Sequence, residues 1–515
     1  LPEQDVSAAG LAQALEEFFV EHPRAALLED GRVLFEMAVA HYSISAEHGR
    51  CVLHLWSDER NLVRTVVGLE ARKERLRIKV RRLGAAKPQF LEIIKDRDTR
   101  TPATRTASRS RYLHLLERLV VRYFHEYKLE SLRSAMDLEH SFGPAYARGL
   151  LVRGLQSWAL IGVNADETQA TIDGVLTLGI LWLAYCRQHS GKRVCQGLKV
   201  VLPEGCGDTT RARMAWLNRD LAQWEIYELS PGEELLQIDT SDHGNLKMRL
   251  VHAFNQDAAL ERARPGFDRV MPLLPPGLQS RVSMVAHSAN EVALSLYGLE
   301  FARVVQGYVT GSFVREVRVT FGAGPNETPL QPDTKGLFAE LMQRLAASRI
   351  PTGSGRNPLF RLRPEAWLQT ALADDLAQVD DQLGEHPIYP QVPAFSAADR
   401  AMLDLLTATR SARLAILELK VDEDLHFPLQ GVDYWIRVHT LQQQGELAKN
   451  GYFPGVELQM QSPLLFFVVP ALWVHPSMET VLAHLSPAIP WTLIALNEGW
   501  RLERKIVYRK RGGSP

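Results

Sequence analysis

The chain has 515 residues, 46% of them apolar and 23% charged, and a formal net charge of −1. This length predicts roughly two to four globular domains rather than one. The charge balance excludes a global basic signature for nucleic acid, although a local groove of Lys and Arg would suffice to bind one. No window offers about 18 uninterrupted apolar residues, so no membrane span is predicted. The apolar run Leu178–Tyr185 is too short to span and reads as a buried helix. The start of the chain shows no signal-peptide pattern. Four cysteines, Cys51, Cys186, Cys195 and Cys206, form no Cys-x-x-Cys, which argues against a zinc site, and none follows Cys206. They read as reduced structural thiols of a cytoplasmic protein.

In chain order, residues 10–22 form an amphipathic helix. Alternating apolar segments follow at Val33–Ala40, Cys51–Trp56, Leu62–Glu70, Arg75–Val80 and Phe90–Ile94. They predict an antiparallel sheet, a β-rich module over 1–94. Period-two spacing puts Arg75, Arg77, Lys79 and Arg81 on one strand face, with Leu76, Ile78 and Val80 on the other. Two readings stand for this row. It tracks a phosphate backbone, or it is the solvated face of an edge strand. Residues 95–112 are polar and rich in Arg, including Arg109 and Arg111, and predict a basic linker. A helix Leu113–Lys128 completes the segment 95–128.

The middle, 129–262, reads as α/β. Thr171–Arg187 and Thr209–Gln223 are predicted helices, and Gln196–Leu202 and Trp224–Leu229 are predicted strands. Two readings stand here as well: a second, degenerate copy of the C-terminal fold discussed below, or a Rossmann-like sensor without its Gly-rich fingerprint. Residues 263–350 predict a β-containing connector, with strands Leu299–Val305 and Val314–Phe321 and a helix Gly336–Ser348. Pro351–Pro358, rich in Pro, Gly and Ser, reads as a linker.

The chemistry lies beyond it, in 351–515. Met402-Leu-Asp-Leu-Leu-Thr407 is followed by Leu414-Ala-Ile-Leu-Glu-Leu-Lys420 and then by Gln430-Gly-Val-Asp-Tyr434. The apolar run Leu414–Leu417 marks a buried strand. Alternation puts Glu418 and Lys420 on one face, and Asp404 belongs to the neighbouring strand across a turn at Thr407–Ser411. Two converging carboxylates suit a hard cation, Mg²⁺ or Mn²⁺, with a shell completed by water and phosphate oxygens. Lys420 would orient a metal-bound water or stabilise developing negative charge. Gln430 and Tyr434 lie four apart on one face of the next helix. The cluster Asp422, Glu423, Asp424 and His426 reads as a polar turn. The basic tail Arg501–Arg511 reads either as a phosphate contact or as a solvated end.

In order and context this segment resembles the PD-(D/E)XK nuclease superfamily, in particular its RecB-like branch with the Gln-x-x-x-Tyr motif. The resemblance covers roughly the last third of the chain, and Leu403 stands where the family name has proline. It implies a restriction-endonuclease-like α/β core, so the whole reads as a multidomain α/β and α+β chain. It implies Asp404, Glu418, Lys420, Gln430 and Tyr434 as catalytic residues, with Asp404, Glu418 and Glu365 as metal ligands. Glu365 and Gln369 are the candidates on the preceding helix, and His386 and Gln391 are weaker ones. Gln369 stands where the family more usually has Glu. The implied activity is hydrolysis of phosphodiester bonds, with DNA favoured over RNA, in repair or in defence against foreign DNA. Arg75, Arg77, Lys79, Arg81, Arg109 and Arg111 would contact the nucleic acid, and a protein partner or a homo-oligomer remains open. The alternative is an inactive nuclease fold that serves as a binding or assembly scaffold.

Overall fold

A computed structural model describes the chain except residues 1–6, 23–24, 30–31, 38–39, 48, 57–60, 72–74, 82–88, 95–101, 138, 242–248, 309–314, 323–326, 396–399 and 514–515. The chain is a mixed α/β protein, with four sheets among the described residues. It divides into two compact units. The first is drawn from Leu1–Thr210 and Glu225–Asp239, the second from Arg211–Trp224, Thr240–Ala397 and Ala401–Pro515.

The first unit opens with α1 (Ala8–Glu21), whose first turn is capped where the Ser7 hydroxyl accepts the Gly10 N–H at 3.2 Å. Seven strands follow: β1 (Ala26–Glu29), β2 (Arg32–Glu36), β3 (His41–Glu47), β4 (Arg50–Trp56), β5 (Asn61–Ala71), β6 (Arg75–Arg81) and β7 (Gln89–Ile94). They form one sheet in the order β2-β1-β7-β6-β5-β4-β3. Leu11, Leu15 and Phe19, one stripe of α1, bury against the inward row Leu53, Leu55, Ile78, Val80 and Leu91. The alternation expected of β6 holds for the described side chains: Leu76, Ile78 and Val80 are buried, while Arg77, Lys79 and Arg81 are not. The Arg75 side chain lies outside the described residues. The edge-strand reading does not hold, because β6 is the central strand of the seven.

The second sheet of this unit follows α2 (Pro102–Tyr123). Its strands are β8 (Lys128–Arg133), β9 (Tyr146–Arg153) and β10 (Gln156–Val163). Then come α3 (Gln169–Asp173), α4 (Val175–Gln188), β11 (Val194–Pro203), α5 (Asp208–Met214), β12 (Gln223–Leu229) and β13 (Leu235–Ile238). The strand order is β13-β12-β11-β10-β9-β8. Residues 102–111, expected as linker, are the first half of α2; residues 95–101 lie outside the described residues. Polar groups of this half are bound to distant residues: the Ser108 hydroxyl donates to Asp166 at 2.6 Å, and Arg109 pairs with Glu167 at 2.9 Å. The expected helix Thr209–Gln223 stops at Met214. Beyond it Leu217 bridges to Leu485, and the Asn218 N–H donates to the His484 carbonyl at 2.8 Å, so tertiary pairing replaces the helical ladder. The segment Gln169–Gln188 is long and apolar enough to cross a membrane by composition, but 67% of its apolar window is buried inside the fold.

In the second unit, β14 (Arg249–Leu250) and α6 (Gln256–Val270) precede a five-stranded meander. Its strands are β15 (Val282–Ser288), β16 (Glu291–Leu296), β17 (Leu299–Tyr308), β18 (Arg315–Phe321) and β19 (Thr328–Pro329). Then follow α7 (Lys335–Ser348), α8 (Pro358–Arg361) and α9 (Pro364–Ala373). The last sheet comprises β20 (Tyr389–Phe395), β21 (Arg400–Ala408), β22 (Leu414–Leu419), β23 (Leu464–Pro470), β24 (Trp491–Leu496) and β25 (Ile506–Gly512). Helices α10 (Phe427–Gln443), α11 (Glu446–Lys449) and α12 (Met478–Ala483) connect its strands. The order is β14-β20-β21-β22-β23-β24-β25. β22 pairs antiparallel with β21 and parallel with β23, and β23 pairs parallel with β24. The basic tail is the edge strand β25 with paired cations: Lys510 with Glu479, and Arg511 with Asp380 at 3.3 Å.

The expected linker Pro351–Pro358 is pinned at both ends. Arg349 is fully buried and donates to the carbonyls of Leu296, Tyr297, Leu359 and Leu362 at 2.6–3.0 Å. Its guanidinium also lies 4.7 Å from the Trp367 ring centre. The hub fixes where α9 begins, and α9 carries Glu365 and Gln369. Arg349→Met would leave four carbonyls without their donor. We expect it to destabilise the second unit by at least about 3 kcal/mol, read as a lowered midpoint in denaturant.

Candidate active site

β22 is buried along its whole length, between β21 and β23. The antiparallel register pairs Leu405 with Leu417 and Leu406 with Ile416. One step further along the same ladder, Asp404 stands opposite Glu418. Residues directly opposite share a face. The other face, with Leu405, Ala415, Leu417 and Leu419, packs on Trp367, Leu368 and Leu372 of α9. Asp404 and Glu418 therefore point to the side covered by α10. Gly431 lets that helix come close: a Cβ there would lie 2.3 Å from Phe467, the neighbour of Glu418 in β23. Every residue the sequence assigned to the catalytic cluster meets here.

The two carboxylates are not equivalent. Asp404 accepts the Leu419 N–H at 2.9 Å. Burial pushes its pKa up to about 6; Glu365 adds to the rise, while the Leu419 N–H, Lys420 and Gln391 hold it back. Glu418 is only 3% exposed, and its Oε2 is buried with no hydrogen-bond partner. Burial raises its pKa well above the usual carboxylate range, and the neighbouring Asp404 raises it further. Lys420 Nζ lies 3.5 Å from Glu365 Oε1 and 3.4 Å from Asp424 Oδ2. Burial pulls its pKa down, but these two carboxylates outweigh burial and leave it raised. Tyr434 is raised by burial first and then by the Glu418 charge, which places its hydroxyl in the same field. Gln430 Nε2 donates to that hydroxyl over 3.4 Å.

The preceding helix α9 brings Glu365 to Lys420. Gln369 accepts from Gln391 at 2.8 Å, and Gln391 also hydrogen-bonds Asp404. Gln391 sits at φ 52°, a left-handed conformation uncommon for a residue with a side chain. His386 belongs to the other end of β21: the adjacent Pro387 carbonyl accepts from Thr407, about 10 Å along the strand from Asp404. Asp424 keeps its turn role, accepting the His426 N–H at 2.8 Å. No sequence pattern points to Arg213, which grips Asp433, the residue before Tyr434, through two hydrogen bonds of 2.9 and 2.7 Å. Its partner is 220 residues away, so no local pattern could reveal it.

Among the described residues, no group of three or more His, Cys, Asp and Glu side chains is set to enclose an ion unaided. What is present is two adjacent carboxylates, one with an orphaned buried oxygen. That donor set fits a hard cation that draws the rest of its shell from water and phosphate oxygens. Of the nucleic-acid candidates, Arg77 lies 4.0 Å from the Phe90 ring centre and 3.9 Å from Glu70, with Glu92 opposite it in register. Arg109 is committed to Glu167, whereas Arg81 and Arg111 are exposed. Comparison with known proteins returns no matching family model and no matching curated protein.

Proposed function

We propose that this chain is a metal-dependent nuclease of the PD-(D/E)XK type, with a restriction-endonuclease-like core, that hydrolyses phosphodiester bonds in DNA in preference to RNA. One observation carries the reading: Asp404 and Glu418 stand side by side on one buried sheet face, Glu418 with an unpartnered oxygen, and Lys420 lies beside them. Two carboxylates in one buried place resist double ionisation, and a divalent cation relieves both. Asp404 and Glu418 would hold that cation, with Glu365 at the rim. A bound Mg²⁺ or Mn²⁺ would supply Lewis acidity and a water of lowered pKa. Lys420 donates to the attacking water or to the charge that develops on the phosphate. Gln430 and Tyr434 position the backbone. Four free thiols, three of them buried, suit a reducing cytoplasm, and a role in repair or in defence against foreign DNA follows the same reading.

The deciding experiment incubates the purified chain with single-stranded, duplex and branched DNA and with RNA, with Mg²⁺, Mn²⁺ or EDTA. We expect cleavage with either metal and none in EDTA. Cleavage that persists in EDTA overturns the metal mechanism. Binding without cleavage of any substrate favours the scaffold reading; among the described residues no third carboxylate is grouped with the pair to enclose an ion.

In the first unit, the cationic face of β6 is proposed to add affinity without touching the chemical step. Arg77→Ala with Lys79→Ala is expected to flatten the log–log salt dependence of duplex binding by about one unit per cation lost, with turnover at saturation unchanged. An unchanged slope returns this face to the role suggested by Glu70 and Glu92 around Arg77, cross-strand charge pairing within the sheet.

A further inference from the structure

The sheet β8–β13 repeats the sheet β20–β25. Both run in sequence order, strand beside consecutive strand. The second and third strands pair antiparallel in each, β9 with β10 and β21 with β22. The third and fourth pair parallel, β10 with β11 and β22 with β23. The fifth and sixth pair antiparallel, β12 with β13 and β24 with β25. A helix precedes each sheet (α2, α9), another joins the third strand to the fourth (α4, α10), and a short one joins the fourth to the fifth (α5, α12). A Rossmann-like unit would not carry two antiparallel strands ahead of its first crossover in this order.

The residues align as well. Gly174, between α3 and α4 in Asp173-Gly-Val, and Gly431, inside α10 in Gln430-Gly-Val, give the two crossover segments a common reference. Counting back from them without a gap, Leu160 falls on Leu417, Ile161 on Glu418, Val163 on Lys420 and Glu167 on Asp424. The faces agree. Gly162 looks toward Tyr112 and Leu116 of α2, as its counterpart Leu419 packs on α9. Ile161 lies under Gly179 of α4, as Glu418 lies under α10. The residue opposite Ile161 in register is Arg148, so Arg148 occupies the place of Asp404. Where the C-terminal copy holds two carboxylates and a lysine, this copy holds Arg148, Ile161 and Val163.

Arg148 is fully buried, and two of its donors, Nε and Nη1, have no partner. Nη2 donates to the Ala135 carbonyl, and the Phe142 ring covers one side at 4.3 Å. Burial, and then the charge of Arg133, pull its pKa down to about 10. The exposed Arg133 is its cross-strand neighbour, a like-charge pair that costs stability unless an anion joins it. The nearby Asp137 carboxylate is engaged by His140 at 3.0 Å. Arg148 has no exposed surface, so it acts as fixed positive charge beneath this face, and the exposed guanidinium of Arg133 is the donor that can meet a phosphate there.

We propose that the middle domain is a second, non-cleaving copy of the C-terminal fold, in which Arg148 supplies buried positive charge at the place where the cutting copy holds its metal and the exposed Arg133 beside it meets a backbone phosphate of the nucleic acid. The residue-by-residue comparison rests on the assignment of Asp404 and Glu418 above; the phosphate site does not.

The test uses the full chain carrying Glu418→Ala, in EDTA, with a short labelled duplex DNA as probe. Arg133→Met is expected to weaken binding about tenfold at moderate salt and to lower the salt slope by about one unit, and Arg148→Met, which removes buried charge and no contact, to weaken binding less. Circular dichroism checks the fold of each. If Arg148→Met does not fold, the exposed Arg133→Met decides alone. Unchanged affinity and slope overturn the phosphate site. Mn²⁺ titration of the unsubstituted chain should count one ion, lost in Glu418→Ala; an ion that survives Glu418→Ala and binds the middle domain overturns the non-cleaving assignment. A chain that binds no Mn²⁺ and cuts nothing, yet loses affinity with Arg133→Met, would defeat the nuclease reading and leave this one standing.

Discussion

Glu418→Ala is expected to lower metal-dependent cleavage by at least about two orders of magnitude, with nucleic-acid affinity in EDTA unchanged. The separation follows from position. Glu418 lies beneath the surface at 3% exposure, so it does not reach substrate except through what it binds. Lys420→Ala should lose a comparable factor by another route. Its ammonium is held by Glu365 and Asp424 and remains charged through the neutral range. It acts on charge that appears only in the transition state, so kcat falls and substrate affinity does not. The two variants part in metal titration: Mn²⁺ affinity should collapse in Glu418→Ala and survive in Lys420→Ala. Glu365→Ala serves as the graded control, since it leaves Lys420 paired with Asp424 alone and keeps both strand carboxylates. Cleavage by Glu418→Ala at the unsubstituted rate would remove the site from this sheet altogether.

How much of this was legible without the structure depended on whether the forces were local. The strand under Glu418 was readable because it is buried on both faces and so carries an unbroken apolar run. The facing of Asp404 and Glu418 followed from alternation and a short hairpin. The row on β6 was readable for the same reason, but its central place was not, because strand order is fixed by partners far along the chain. The first half of α2 reads as linker because its polar residues answer to Asn164, Asp166 and Glu167, more than fifty residues away, rather than to an apolar stripe. The hairpin β9–β10 was missed for the opposite reason: a charged residue, Arg148, lies inside it and breaks the apolar pattern. Arg213 acts through a contact 220 residues distant, and nothing in its neighbourhood marks it.

Asp404→Asn is expected to raise the thermal midpoint of the metal-free protein above about pH 6 and to leave it unchanged near pH 4. The folded pKa of Asp404 is raised by burial to about 6, above its value in the unfolded chain. The stabilising contribution of the protonated carboxyl is thus complete below the unfolded pKa and is lost as the pH rises through about 6. Stability falls across that window and stays lower above it. The shift corresponds to at most about 3 kcal/mol, and Glu418, raised in the same direction, extends the fall to higher pH. Asparagine keeps an oxygen for the Leu419 N–H, so the comparison isolates the charge. Adding Mg²⁺ should reverse the order at pH 8: the unsubstituted protein gains stability as the ion binds its paired carboxylates, and Asp404→Asn gains little. The gain should shrink toward pH 5, where protons compete for the same oxygens. A metal-free midpoint that is flat from pH 5 to 8, and equal in the two proteins, would mean that these carboxylates are solvated and independent and that no cation is needed to hold them together.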